Sequence, residues 1–287
     1  MDNELYDYSP IVERQPIQWP GGARVAFYVG LNVEHFLIDR PSTSLNEATA
    51  TLVPDPLNYG WREYGARVGI WRLMETFDRH RIRPSVLLNS DVADRYPQII
   101  KAGLERNWAW LAHGRNNSTL QAGMTLDDER AYLTDVVETI QRATGQRPRG
   151  WLGPALTETF QTPRLLAELG LGYVLDWTND DQPYRLKVPG MLSVPYTVEL
   201  NDLGIFTMHG RSGADFVQMF KDQFDQLYAD SADSGRVMAL ALHPFVIGQP
   251  HRHKYLDQAL GYVADHPGVW LTTSDEIAEH YARTNPA

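Results

Sequence analysis

The 287-residue chain has no cysteine. Disulfides, thiolate zinc sites, iron–sulfur clusters and cysteine nucleophiles are therefore excluded together. Nowhere does it run to the roughly 18 uninterrupted apolar residues that a membrane-spanning helix needs. Its N-terminal stretch, MDNELYDYSPIVERQPIQWP, has neither the basic start nor the apolar run of a secretory signal, which predicts a cytoplasmic protein. Basic residues are in deficit, 26 against 36 acidic for a formal charge of -10, and they form no cluster that would attract nucleic acid or an anionic membrane. Also missing are G-x-G-x-x-G, a Walker A loop and the nucleophile elbow G-x-S-x-G, so neither a nucleotide cofactor nor a Ser–His–Asp hydrolase has support.

What is present is an ordinary globular composition, with 43% hydrophobic and 22% charged residues, and nine histidines. Chemistry must come from imidazoles, carboxylates, hydroxyls and water. Residues 23–33, ARVAFYVGLNV, read as a strand buried on both faces. A long loop is expected over 38–60. A helix with Val68, Trp71, Met74 and Phe77 at helical spacing, and Ile70 and Leu73 between them, follows, then a strand at 85–89 and a helix from Asp91 through Ala102. Strands are expected at 108–112, 149–152, 172–176, 191–194, 204–208, 237–242 and 269–271. The helices between them include one opened by Thr125 with a stripe of Leu133, Val136, Val137 and Ile140, and others at 163–169, 215–228, 255–264 and 274–282. No linker divides the chain. This alternation predicts one α/β catalytic domain over 1–287, a distorted (β/α) barrel with its core at about 23–283 and an N-terminal extension at 1–22.

Active sites of such barrels lie at the C-terminal ends of the strands. Six strand ends carry polar residues: Asn32, Glu34 and His35; His113 through Ser118; Gly153-Pro154 with Thr157 and Glu158; Trp177 through Tyr184; Pro195-Tyr196-Thr197 with Glu199 and Asn201; and His243-Pro244, with Gln249 to Arg252 beyond. Glu34 follows a strand with two apolar faces, where desolvation is expected to raise its pKa towards that of a working base. His243 is placed to protonate a departing nitrogen. Glu34 with Asp180 or Asp181 also invites a paired-carboxylate glycosidase reading, but nothing in the spacing establishes their separation. His35, His80, His209, His253, His266 and His280 are read as structural or unassigned.

The segments HGRNNS, GWLGPALTETF, DWTNDDQPY and ALHPFVIGQPHR, in that order after a short acidic motif, resemble the polysaccharide deacetylase superfamily, the carbohydrate esterase family 4 or NodB-homology group. The likeness runs over about residues 23–283 and is greatest to the branch of cofactor-independent allantoinases, cyclic imide hydrolases and certain peptidoglycan deacetylases. The resemblance implies a barrel of the NodB type. It also implies an Asp base, an Asp metal ligand and two histidines four residues apart. Here Asn32 stands at the base position, Glu34 at the ligand position, and His113 and Asn117 at the two histidine positions. Asn32 cannot usefully accept a proton, and an amide oxygen is a poor zinc ligand beside imidazole.

The resulting expectation is a hydrolase of a carbon–nitrogen bond in a small cyclic ureide or imide. Glu34, His113 and His243 are expected to be catalytic. Asn117, Ser118, Trp151, Glu158, Trp177, Asp180, Asp181, Tyr196 and His251 are expected to bind substrate. No cofactor is expected to be required, although Glu34 and His113, with Asn117 contributing weakly, would be the place for a loosely held divalent metal such as zinc. The expected partner is a small molecule, with no nucleic acid and no membrane. Similarity to the allantoinase-like branch suggests a homo-oligomer. The alternatives are a metal-dependent deacetylase of peptidoglycan or chitooligosaccharide, and an inactive ligand-binding barrel.

Overall fold

The computed structural model describes residues 2–286. Its elements are β1 (Val25–Val33), α1 (Pro56–Tyr64), α2 (Ile70–His80), β2 (Ser85–Leu88), α3 (Asp91–Arg95), α4 (Pro97–Glu105), β3 (Ala109–Ala112), α5 (Leu126–Thr144) and β4 (Gly150–Trp151). There follow α6 (Thr162–Glu168), β5 (Tyr173–Val174), β6 (Tyr184–Arg185), β7 (Leu192–Ser193), α7 (Gly213–Asp230), β8 (Arg236–Leu242), α8 (Pro250–Ala264), β9 (Val269–Leu271) and α9 (Ser274–Thr284). The strands form one curled sheet in the order β6-β7-β5-β4-β3-β2-β1-β8, with β9 also paired to β1. Among the described residues only the β6–β7 ladder is antiparallel. The ring does not close through a strand ladder. Irregular segments bond the free side of β8 instead, with the Val237 N–H donating to the Asp181 carbonyl at 2.8 Å and the Ala241 N–H to the Leu200 carbonyl at 3.0 Å.

Side chains alternate across a strand, and that period sorts the core into two layers. Val25, Phe27, Val29, Leu31 and Val33 of β1 pack outward with Ile70, Leu73, Phe77, Phe216 and Phe220 of the surrounding helices. Ala26 and Tyr28 face inward with Leu87, Leu111, Leu152, Leu175, Val194, Tyr196, Ala239 and Ala241. Ile17 and Trp19 of the N-terminal extension and Ile277 and Ala278 of α9 join this inner layer. The Trp19 indole donates to the carbonyl of Arg236, the first residue of β8, so these residues fill the end of the barrel where the strands start. The other end is left for chemistry.

Several boundaries differ from the sequence expectation, each for a local reason. Residues 204–208 form a π-helical turn, not a strand. Phe206 stacks on Phe216 of α7 at 5.6 Å, so the short apolar run is buried by helix packing, a case that periodicity alone does not resolve. The helix expected from Asp91 breaks into α3 and α4 because Pro97 has no N–H and holds Tyr96 out of the helical region, at φ -135° and ψ 54°. Pro56 starts α1 inside the expected loop, and Pro250 starts α8 five residues before the expected Tyr255, which places His251 and His253 on a helix. Ile70, Leu73, Met74 and Phe77 of the expected pattern are buried, whereas Val68 and Trp71 are each 38% exposed. No helix of the described residues is long and apolar enough to cross a membrane.

Candidate active site

The inward alternation of β1 continues past Tyr28 through Gly30 and Asn32 to Glu34. β8 and β2 flank β1, and β3 lies beyond β2. Their ends deliver His243, Asn89 and His113 respectively, so Glu34 stands between two imidazoles. Its Oε1 lies 3.4 Å from Nε2 of His113 and 3.8 Å from Nε2 of His243. The same oxygen accepts a hydrogen bond of 2.5 Å from Nδ2 of Asn117. All this happens out of water, since the Glu34 and His113 side chains are 4% and 2% exposed.

The far side of each ring fixes its tautomer. His113 Nδ1 is 2.7 Å from the Leu152 carbonyl, which only accepts, so Nδ1 carries a hydrogen. His243 Nδ1 is 2.7 Å from Oδ1 of Asp202 and donates to it in the same way. Asp202 is fully buried, and its oxygens also accept from the His243 N–H at 3.0 and 2.9 Å and from the Ile247 N–H at 3.1 Å. Both carboxylate oxygens are thus used as acceptors. Both Nε2 atoms are thereby left to exchange protons on the Glu34 side.

Burial was expected to raise the Glu34 pKa, and the opposite holds. Desolvation does push it upward, but the charge of His243, the hydrogen bond and charge of His113 and the Asn117 amide together outweigh it and leave the carboxyl below its ordinary range. The His243 ring moves the other way. Burial lowers it, yet Asp202 and Glu34 more than compensate and hold it above the usual imidazole value.

Whether a divalent metal fits this site turns on Asn117. The His35 N–H donates to Oδ1 of Asn89 at 2.9 Å, so the amide nitrogen of Asn89 must point the other way. It bonds the His113 carbonyl and, at 3.0 Å, Oδ1 of Asn117. The Asn117 oxygen is thus consumed and its N–H turned towards Glu34, where a cation would need a lone pair. Among the described residues no three His, Asp or Glu side chains are grouped so as to hold a metal. Asn117 thus turns its N–H and not its oxygen to Glu34, and as placed it does not fit as the second of the two histidine-position ligands that the resemblance implies.

The other expected residues scatter. Tyr196 does reach the inner face, where burial pushes its phenol upward and the hydroxyl accepts from Nδ2 of Asn32 at 3.1 Å. Its ring occupies the space over Gly30, at which a Cβ would meet Cε2 at 2.7 Å. Ser118 accepts from the Leu37 N–H at 3.0 Å and holds the loop after β1. Trp151 points outward into the helix-facing core, fully buried, because it is one residue out of phase with inward Leu152. It is not a wall of the site. Trp177 packs edge-on against Tyr6 at 5.4 Å. Glu158 interacts with Asp176, and burial of the two carboxyls together raises Glu158 to about 7 and Asp176 well above its usual value. Asp180 is held by Arg14 at 2.7 and 2.6 Å and accepts from the Gln182 N–H at 3.0 Å, which is an Asx turn tying down the N-terminal extension. Asp181 is exposed, and with Asp180 it lines a cavity of about 790 Å³ beside β8, away from Glu34. His251 is exposed in the first turn of α8.

Asp202 and Asn89 were missed. Neither belongs to a motif, and only the general need of a working imidazole for a carboxylate behind it pointed to an acid such as Asp202. The loop carrying Pro244 is itself positioned by close backbone contact with the π-helical turn Gly65–Gly69 between α1 and α2. A Cβ on Gly69 would lie 2.0 Å from the Pro244 carbonyl oxygen.

No protein-family profile matches the chain. It is 27% identical over 243 residues to a Schizosaccharomyces pombe protein assigned to the polysaccharide deacetylases, a match covering 78% of this chain and 76% of that one. Among solved structures, a Pseudomonas aeruginosa protein assigned to the same group superposes with a TM-score of 0.85 at 29% identity, covering 96% of both chains. The Puue allantoinase superposes with a TM-score of 0.86 at 29% identity, over 98% of this chain and 100% of that one.

Proposed function

Since the chain belongs to the polysaccharide deacetylase superfamily, we propose that it hydrolyses a carbon–nitrogen bond other than a peptide bond, in a small cyclic ureide or imide, without a metal. One observation carries the reading. Glu34 Oε1 meets two imidazole Nε2 atoms and an amide N–H, a set that can pass protons between a carboxylate and an imidazole, while Asn117 turns its N–H and not its oxygen to the site. The opposed pKa directions of Glu34 and His243 favour a carboxylate beside an imidazolium, the states that a base and an acid need.

In this mechanism a water beside Glu34 attacks a ring carbonyl carbon. Its oxygen forms the new C–O bond and one of its protons goes to the carboxylate. The Asn117 amide N–H, and His113 Nε2 when that ring carries a second proton, are the donors next to the developing oxyanion. His243 then gives its proton to the ring nitrogen as the C–N bond breaks, because an amide nitrogen leaves poorly as an anion. Asp202 steadies the imidazolium before transfer. The product is the ring-opened amide or ureide with a new carboxyl group, and the proton on Glu34 restores His243.

Polymer deacetylation is the second reading, supported by the names of the relatives. It calls for a metal donor set that Asn117 does not complete. The deciding test is turnover of hydantoin, succinimide, allantoin and acetylated sugars, each with and without a chelator. Ring opening that survives chelation is expected. Chelator-sensitive release of acetate from sugars, with no ring opening, would reverse the assignment.

A further inference from the structure

No sequence motif singles out Arg62, yet it is a buried cation beside Glu34. It sits on α1, 5% exposed. Its Nη1 donates to the Thr43 carbonyl at 2.7 Å, and its guanidinium carbon lies 4.8 Å from the Phe36 ring centre. Its Nε is buried and has no hydrogen-bond partner. Among the described residues no carboxylate comes within ion-pair distance of Arg62. The neighbouring Asp55 is already engaged by Asn58 and Thr49. A buried guanidinium with an idle donor is costly, so such a group calls for an explanation.

Two small crevices, each lined by both Arg62 and Glu34, lie against it. Each is about 10 Å³, close to the space one oxygen centre occupies. Tyr96 lines both. Trp61, next to Arg62, packs on Phe245 at 4.8 Å, and Phe245 packs on the His243 ring at 5.5 Å, so α1 is fixed against the catalytic residues.

We infer that Arg62 binds a second carbonyl oxygen of the substrate, not the one attacked. The substrate is then a ring with two carbonyl groups, one presented to Glu34 and the other to the guanidinium, and not a lactam with one. This rests on the ring-opening reading above and assigns a residue to the carbonyl that is not attacked. A charged donor to a carbonyl adds affinity only for a ligand that has that carbonyl. Losing such a hydrogen bond costs about 10- to 100-fold in binding.

The test is a cycle between protein and ligand. Binding of succinimide and 2-pyrrolidone, and of hydantoin and 2-imidazolidinone, is measured on E34Q and on E34Q/R62M. Each pair differs by one carbonyl. The two-carbonyl member is expected to bind E34Q better by about 10-fold or more, and that preference should collapse in E34Q/R62M. Added methylguanidinium should restore it in E34Q/R62A. An equal loss for both members of a pair, with a lower melting temperature and no rescue, would show Arg62 to be a loop anchor only and overturn the inference. So would an unchanged preference, or no binding of either pair. If the intact protein opens none of these rings while releasing acetate from sugars, the proposed function itself fails first, a result read independently of Arg62.

Discussion

Replacing Asp202 by Asn probes the candidate site most directly, because it removes a charge while keeping the shape. In the native protein the two carboxylate oxygens serve the His243 ring and two backbone N–H groups. An Asn has one acceptor oxygen and a nitrogen that must face one of those donors. Truncation to Ala would strand two buried N–H groups at about 1–3 kcal/mol each. Against a total stability of about 5–15 kcal/mol that risks unfolding, so Asn is the variant of choice. The loss of the charged hydrogen bond is worth about 1.5–3 kcal/mol, and turnover should fall by ~100-fold or more as the imidazolium loses its partner.

The direction with pH follows from the shift. Asp202 and Glu34 raise the folded-state pKa of His243. Its protonation therefore contributes stability fully below the ordinary histidine range, and that contribution is lost as pH rises through the raised value. D202N should move the His243 titration to lower pH, and with it the alkaline limb of the rate profile. Imidazole NMR titration reads the first without any substrate, and kcat against pH reads the second. An unmoved titration together with turnover within about threefold of the parent would refute the role given to Asp202.

Glu34→Gln and His243→Ala should each lower turnover by at least ~100-fold with the circular dichroism spectrum unchanged, and near-normal rates in either would remove the acid–base assignment. The pKa of Glu34 is lowered, so its ionisation contributes stability above the ordinary Glu range that is lost as pH falls through the folded value; E34Q should flatten that part of a melting-temperature profile. The Glu158 carboxyl has the opposite sign. Raised to about 7, it favours the fold below the ordinary Glu range and loses that contribution as pH climbs to about 7, so E158Q should gain melting temperature relative to the parent at pH 8 but not at pH 5. Gly30→Ala drives a Cβ to within 2.7 Å of Tyr196 and should cost about 1–3 kcal/mol in urea unfolding, with the combination G30A/Y196L recovering part of it.

How much was legible in the sequence depends on the range of the interaction. Glu34, His113 and His243 stood out because each follows an apolar run at a strand end, a local pattern that any parallel barrel turns into proximity. Their neighbours by motif were less well served. Trp151 lies next to inward Leu152, and a period of two sends it to the helices. Asp180 sits in a turn sequence and is used as a turn. His251 lay ahead of the helix expected at 255–264, and Pro250 begins that helix five residues earlier.

The absence of cysteine and of basic clusters, the strand–helix alternation and the three candidate side chains at strand ends were legible in the sequence alone. Those features depend on residue identity and on contacts a few positions apart. Only the tertiary structure decided which groups stand behind them. Asp202 reaches His243 across 41 residues, Asn89 sets the direction of the Asn117 amide from the neighbouring strand, and Arg62 arrives on a helix from a loop with no motif. Hydrogen-bond polarity passes from one buried donor to the next acceptor through space. A chain of residue names does not carry that direction until the backbone has fixed which N–H faces which oxygen.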